Sequence, residues 1–280
     1  MNRALAAPYL HPLKPISTGM RPRGRLRPPI KCLLCDIYGT LFISASGDIG
    51  SAAPLDRRSA QLDQLLSRYG HSISAEKVLK RLQQTIQNFH AASRDRGVDY
   101  PEVVIETVWE KVLAFDDSQR LRKFAVEFEM IMNPVWPMPG LEALLEHCRC
   151  HGIRLGIISN AQFFTPYLFE WLLQATPVQL GFEAELTWYS YRNGRAKPSP
   201  ALFQKAQQIL AGRGIAQECV AFIGNDMRND IRPAQRAGFQ TILFAGDARS
   251  LRLRADDPLC KDLKPDRVII DLNQLTPDLT

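Results

Sequence analysis

Residues 31–40 read Lys-Cys-Leu-Leu-Cys-Asp-Ile-Tyr-Gly-Thr, and the fold follows from this stretch. The apolar run from Cys32 to Cys35 ends at Asp36 and passes into Tyr38-Gly39-Thr40. Such a run, without alternation and closed by a turn signal, predicts a strand buried on both faces in a parallel sheet. The pattern recurs at 153–158, 220–223, 241–244 and 268–270. The first three of these end at Ser159-Asn160, Gly224-Asn225-Asp226 and Ala245-Gly246-Asp247. Helical spacing lies between them, in Leu141, Leu144, Leu145 and Cys148, then in Leu202, Ala206, Ile209 and Leu210. Strands alternating with helices predict a doubly wound, mostly parallel α/β sheet. Ligands bind such sheets beyond the carboxyl ends of the strands. That edge collects Asp36, Ser159 and Asp226.

From Thr40 to Pro137 the pattern changes. Segments 55–69, 75–92, 101–114 and 119–132 read as helices, with Gly70 and Gly97 as breaks. The insertion is long enough for a small helical domain. Asn133-Pro134 and Pro137-Met138-Pro139-Gly140 mark the return. The expected organisation is a core at 31–43 and 136–280 with a helical cap at 44–135. Residues 1–30, rich in Pro and Arg and without period, are expected to be a disordered tail.

Charge and composition narrow the function. Apolar residues make up 45% and charged residues 23%, the balance of an ordinary globular protein. No stretch approaches the length a membrane span needs. The formal charge is +6, but seven Arg and Lys with no acid fall within residues 1–31. The body is therefore near neutral, which argues against a nucleic-acid groove. The tail lacks the apolar region of a secretory signal and the amphipathic pattern of an organelle presequence. Met20 is an alternative first residue, and a weak anionic-surface anchor is the functional reading of the tail. Cys32-x-x-Cys35 lies inside an expected strand without a second such pair. The six cysteines are thus expected as core packing in a reducing cytoplasm.

Asp36, at a strand end among backbone N–H groups near Gly39 and Thr40, can act as a nucleophile. Turns also use Asp and Gly constantly. Asp226 and Asp230, four apart, would face one side of a helix start. With Asp36 they would repel unless a cation lay between them, and Mg²⁺ suits carboxylates and a phosphate. The plainer reading is that both acids cap the helix. Ser159 can donate to a substrate oxygen or cap a helix, and Lys197 can supply a fixed charge or be a solvated surface lysine.

Taken together, these stretches resemble the haloacid dehalogenase superfamily. Its four motifs look like Cys35-Asp-Ile-Tyr-Gly-Thr-Leu-Phe42, Gly156-Ile-Ile-Ser-Asn160, Arg195-Ala-Lys-Pro-Ser-Pro-Ala-Leu-Phe203 and Phe222-Ile-Gly-Asn-Asp-Met-Arg-Asn-Asp-Ile231, in that order. The resemblance covers residues 31–43 and 136–272. It implies that Asp36 forms a covalent intermediate and that Asp36, the Tyr38 carbonyl, Asp226 and Asp230 hold Mg²⁺. It also implies that Ser159 and Lys197, with Thr40 and Asn160 beside them, meet a small phosphorylated substrate under a helical cap.

One departure matters. Phosphatases of this group carry a second Asp two residues after the nucleophile, as acid and base; here it is Tyr38. Asp-x-Tyr-Gly-Thr is similar to the 2-haloacid dehalogenases, which need neither that acid nor Mg²⁺. Asp226 and Asp230 favour the Mg²⁺-dependent phosphatase, and so does Phe203 where dehalogenases tend to have Tyr. Dehalogenase is the alternative, and a non-catalytic scaffold the third reading. Tyr38, His90 and Asp95 are candidates for the missing acid. Tyr100-Pro101-Glu102, Trp109 and Trp136 are candidate pocket residues.

Overall fold

The computed structural model describes residues 1–45 and 55–279. A seven-stranded sheet forms the core. Its strands are β1 (Arg23–Gly24), β2 (Cys32–Cys35), β5 (Arg154–Ser159), β6 (Phe182–Tyr189), β7 (Val220–Gly224), β8 (Gln240–Phe244) and β9 (Arg267–Ile269). The order is β1-β9-β8-β7-β2-β5-β6, parallel throughout except for β1 against β9. The two strands beside β2, namely β7 and β5, bring Gly224 and Ser159 to the edge where Asp36 follows Cys35.

Alternation along β2 divides its side chains between two cores. Leu33 and Cys35 pack on one face with helices α6 (Leu141–Cys150) and α7 (Thr165–Leu173). Cys32 and Leu34 pack on the other with α9 (Pro200–Gly212) and α10 (Arg232–Arg236). Helices thus cover both faces, which is why the strands read as unbroken apolar runs. The strand β6 escaped that reading because Glu183, Ala184 and Glu185 interrupt it; it lies at the sheet edge, where polar residues are tolerated. Gly156 lets β2 and β6 close on β5, since a Cβ there would stand 2.4 Å from the Leu186 carbonyl oxygen.

Four helices, α2 (Leu55–Arg68), α3 (Ala75–Asp95), α4 (Ile105–Val112) and α5 (Ser118–Met132), stand where the insertion was expected. Residues 46–54, at its expected start, lie outside the described residues. Trp109 is buried here, edge-on to Phe124 at 4.9 Å and Phe128 at 4.6 Å, so it is packing and not pocket wall. The two ends of the insertion pair as β3 (Phe42–Ser44) and β4 (Val135–Pro137), an antiparallel ribbon where a simple hinge was expected. The α3–α4 loop reaches back to the core: Ala196 N–H donates to the Tyr100 carbonyl at 2.8 Å, and Glu102 N–H to that of Gly194 at 3.2 Å.

The N-terminal segment differs from its expectation. It is laid on the body, beginning with α1 (Arg3–Ala6), whose Ala6 is fully buried. Trp171 Nε1 donates to the Met1 carbonyl at 3.3 Å, and Tyr9 Oη to Glu127 Oε1 at 3.0 Å. Thr18 Oγ1 donates to the Ala245 carbonyl at 2.7 Å, and the Gln240 amide joins both backbone groups of Arg27 at 2.7 Å. Leu26 and Ile30 are buried. Average composition hid a few well-spaced anchors, each satisfied by a specific slot.

All six cysteines are free thiols. Cys32, Cys35, Cys148 and Cys260 are buried as expected, and burial pushes the Cys32 thiol up to about 12. Cys150, exposed at the end of α6, and the half-buried Cys219 are the exceptions. Among the described residues no helix is long and apolar enough to cross a membrane.

Candidate active site

Asp36 sits just past β2, buried, with its N–H donating to the Ile223 carbonyl of β7 at 2.9 Å. Its Oδ1 accepts from Ser159 Oγ at 2.9 Å and from Lys197 Nζ at 2.6 Å. Among the described residues its Oδ2 accepts only from the Thr40 hydroxyl, at 3.5 Å. One oxygen is therefore anchored and the other lightly held, and Asp36 lines a cleft of about 180 Å³ at the carboxyl edge of the sheet. Gly39 makes the turn at φ 79°; a Cβ there would lie 2.4 Å from that of Ser250. The N–H groups expected to be exposed at this turn are used within it: Gly39 donates to Phe42 and Thr40 to Ile37.

Lys197 is buried and bridges Asp36 to Asp230, whose Oδ1 is 2.5 Å from Nζ. Burial alone would lower the lysine, but Asp230 and Asp36 outweigh it and hold the ammonium charged. Burial, with the neighbouring charges of Asp36 and Asp226, raises the Asp230 carboxyl against the opposing pull of Lys197. Asn160 fixes the lysine backbone, accepting from Lys197 N–H at 2.7 Å and donating to its carbonyl at 3.4 Å. Asp36, Ser159, Asn160, Lys197 and Asp230 are thus brought together, with Thr40 beside them.

Asp226 lines the same cleft, but its carboxylate is tied elsewhere. It is the extended N-cap of Met227–Ile231, a wide π turn. Asp226 Oδ1 accepts from the N–H groups of Arg228 and Asn229 at 2.8 and 3.1 Å. Arg254 clamps both oxygens, with contacts at 3.2, 3.2 and 2.6 Å. Arg254 takes a positive φ of 53°, a backbone cost that the bidentate pair offsets. Asp230 Oδ2 is likewise occupied, accepting from Asn225 and Asp226 N–H at 3.0 and 2.9 Å. The neighbour of Asp36 on this loop is Asn225, whose Oδ1 is 3.2 Å from the same Thr40 hydroxyl.

The expected Mg²⁺ set of Asp36, the Tyr38 carbonyl, Asp226 and Asp230 therefore does not fit. Mg²⁺ takes one or two carboxylates along with waters and substrate oxygens. Here both oxygens of Asp226 are spent on a guanidinium and a helix cap, and both of Asp230 on Lys197 and backbone N–H groups. Among the described residues no group of three or more His, Cys, Asp or Glu is placed to hold a metal. The capping reading of the sequence holds for Asp226.

Tyr38 lines the cleft, and its hydroxyl shares a hydrogen bond of 2.9 Å with Thr165 Oγ1. Burial, then the negative charge of Glu129, pushes the phenol well above its usual range, so it is no acid near neutral pH. His90 and Asp95, on α3, do not line the cleft; Asp95 is exposed. Phe203 is buried against Phe222 under the sheet. Glu102 does line the cleft, accepting from Ser190 Oγ at 2.6 Å and Val103 N–H at 2.9 Å. Sequence reasoning missed Asn225, Arg252 and Glu129, which also line it, and Arg254 behind it. None of these four stood at an expected strand end with an acid or hydroxyl that the fold would have singled out.

A family model for haloacid dehalogenase-like hydrolases matches residues 30–238. The bovine haloacid dehalogenase-like hydrolase domain-containing protein 3 is 29% identical over 51% of this chain and 51% of its own length, so the chain spans about half of that relative. A glyceraldehyde 3-phosphate phosphatase from Methanopyrus kandleri is 26% identical over 85% of this chain and 94% of its own. Among solved structures, a 2-haloacid dehalogenase from Pseudomonas syringae superposes with a TM-score of 0.54 at 20% identity, covering 89% of this chain and 98% of that one, a likeness of fold. With its motifs at the strand ends of this sheet and a family model covering most of its length, the chain belongs to the haloacid dehalogenase-like hydrolases.

Proposed function

We propose that the chain hydrolyses a small organic phosphate through a covalent intermediate on Asp36. The observation that carries this is the unequal state of the two oxygens of Asp36, which lines the cleft: Oδ1 is pinned by Lys197 and Ser159, and among the described residues Oδ2 has only the Thr40 hydroxyl at 3.5 Å. In the first step Oδ2 attacks phosphorus and the bond to the leaving oxygen breaks, giving an aspartyl-phosphate. In the second, water attacks phosphorus, the acyl-phosphate bond breaks, and Asp36 and inorganic phosphate are regenerated. Lys197 and Ser159 orient the carboxylate and meet the charge that develops on the phosphoryl oxygens. Asp230 is a positioning residue that holds Lys197, and Asn160 does the same through its backbone. The size of the cleft suits a small substrate, and helices α2–α5 act as the cap that shields it from water. The named phosphatase among the relatives supports this reading. Six unpaired thiols suit a reducing cytoplasm.

A Mg²⁺ requirement loses its expected support, because the charge assigned to an ion at Asp226 is supplied by Arg254. A second reading, attack of Asp36 on a carbon bearing halide, is favoured by one observation: Tyr38 stands at the acid position with its hydroxyl tied to Thr165. Halide needs no proton on leaving.

The test is release of p-nitrophenol from p-nitrophenyl phosphate by the full chain, with Mg²⁺ and with EDTA, beside Asp36→Asn. Activity lost in Asp36→Asn and largely retained in EDTA is expected. Activity abolished by EDTA and restored by Mg²⁺ would overturn the reading of Asp226–Arg254. Chloride release from 2-chloropropionate without phosphatase activity would replace the phosphate reading by the second.

A further inference from the structure

Phosphate-ester hydrolysis needs a proton for the leaving oxygen, and neither Tyr38 nor any motif residue supplies one. The carboxyls that line the cleft differ in what they have left to give. Asp36, Asp226 and Asp230 each pair with Lys197 or Arg254. Both oxygens of Glu102 are taken, by Ser190 and by Val103 N–H. Glu129, on α5, is the fifth. Among the described residues it has no cationic partner, and only Asn133 Nδ2 donates to it, on Oε1 at 3.3 Å. Asn133 is itself held by Ser44 Oγ, which donates to its Oδ1 at 2.9 Å. Ser44, Asn133 and Glu129 thus form a short relay along one wall of the cleft that Asp36 also lines, and none of the described residues donates to Oε2 of Glu129.

We propose that Glu129, presented from the inserted helices, is the general acid and base of this site, in the role that Tyr38 cannot fill. The inference rests on the phosphate reading above. As Asp36 Oδ2 bonds to phosphorus and the P–O bond to the leaving group breaks, the Glu129 carboxyl hands its proton to the departing alkoxide. The resulting carboxylate then takes a proton from the water that attacks the aspartyl-phosphate. One proton leaves with the alcohol and one is recovered, so the site returns to its starting state. The carboxyl is suited to this exchange: desolvation raises it to about 7, against the smaller lowering by Asn133. A group poised there is half protonated near neutral pH, where acid and base roles are both accessible. The substrate class follows: alkyl phosphates, whose alkoxide leaves poorly without a proton, rather than only activated aryl or acyl phosphates.

The test compares wild type with Glu129→Gln and Glu129→Asp on p-nitrophenyl phosphate and on a simple alkyl phosphate such as glycerol 2-phosphate. Gln keeps the shape and can still accept from Asn133. For Glu129→Gln, kcat/KM, which reports transfer to Asp36 and not the second step common to both substrates, is expected to fall by about 10²–10⁴-fold on the alkyl phosphate, with less than about fivefold loss on the aryl ester. Glu129→Asp should recover part of the loss. The alkaline limb of the kcat/KM profile on the alkyl phosphate should also disappear in Glu129→Gln. The other titrating or charged groups on the cleft are Asp36, Tyr38, Glu102, Lys197, Asp226, Asp230 and Arg252. A limb that persists in Glu129→Gln belongs to one of them and overturns the proposal. So does an equal loss of kcat/KM on both substrates. Absence of phosphatase activity in the wild type defeats the phosphate reading and this inference with it, whereas a defect confined to neither substrate defeats the inference alone.

Discussion

Replacing Glu129 by Gln should stabilise the fold at alkaline pH and leave it unchanged in acid, the opposite of what loss of a structural carboxylate does. The magnitude follows from the position of the carboxyl, which burial lifts from 4.5 to about 7. As pH rises past 4.5 the unfolded chain loses this proton while the folded chain keeps it until about 7. Between those values the folded state binds more protons, so its stability falls as pH rises. The full cost, present above about 7, corresponds to about 3 kcal/mol. Water in the open cleft relieves part of this, so about 1–3 kcal/mol is expected in practice. Glutamine carries no charge to desolvate and keeps the Asn133 contact. Urea unfolding of both proteins at pH 4.5 and pH 8 measures the difference as a shift in midpoint at constant slope. Asp230 and the other acids are present in both proteins and cancel in the comparison. Glu129→Gln should be more stable at pH 8 and match wild type near pH 4.5. A variant less stable at pH 8, or a difference that does not change with pH, would refute the argument that Glu129 is a desolvated, unpaired carboxyl.

Two further outcomes are expected. Lys197→Met removes the ammonium between two buried carboxylates, so phosphatase activity should vanish and stability at pH 7 should fall by about 3–5 kcal/mol; a loss under 1 kcal/mol by urea unfolding would show that Asp36 and Asp230 are not held by this charge. Deleting residues 1–19 strips the buried Ala6, the Tyr9–Glu127 bond and the Thr18–Ala245 bond, and should lower Tm by about 5 °C; an unchanged melting curve would mean that the segment contributes nothing to the fold.

What the sequence disclosed depended on the range of the interactions involved. Buried parallel strands announce themselves locally, so Asp36, Ser159 and Asn160 could be placed at strand ends before any contact was known. Lys197 was found through motif order, since nothing local separates a bridging lysine from a solvated one. The two errors of weight have local causes of another kind. A spacing of four implied that Asp226 and Asp230 share a face, which holds for an α-helix. The turn here is wider, and Asp226 lies outside it in extended geometry. Tyr9, Thr18 and Leu26 are isolated anchors in a Pro-rich segment, and no window average separates such anchors from a solvated tail.

Arg254 and Glu129 were illegible for a deeper reason. Each acts through a partner or neighbour remote in sequence: Arg254 clamps Asp226 from 28 residues away, and Glu129 lines the Asp36 cleft from the inserted helices. A guanidinium across Asp226 occupies a carboxylate that spacing alone would assign to a metal. A carboxyl from the insertion lines the cleft whose core motifs hold Tyr38 in place of a proton donor. On the proposed reading, the core carries the nucleophile, and its charge balance and proton supply come from segments outside the motifs. The insertion would then bear on the chemistry as well as on access, and a substitution at Glu129 should separate substrates by leaving group rather than by size.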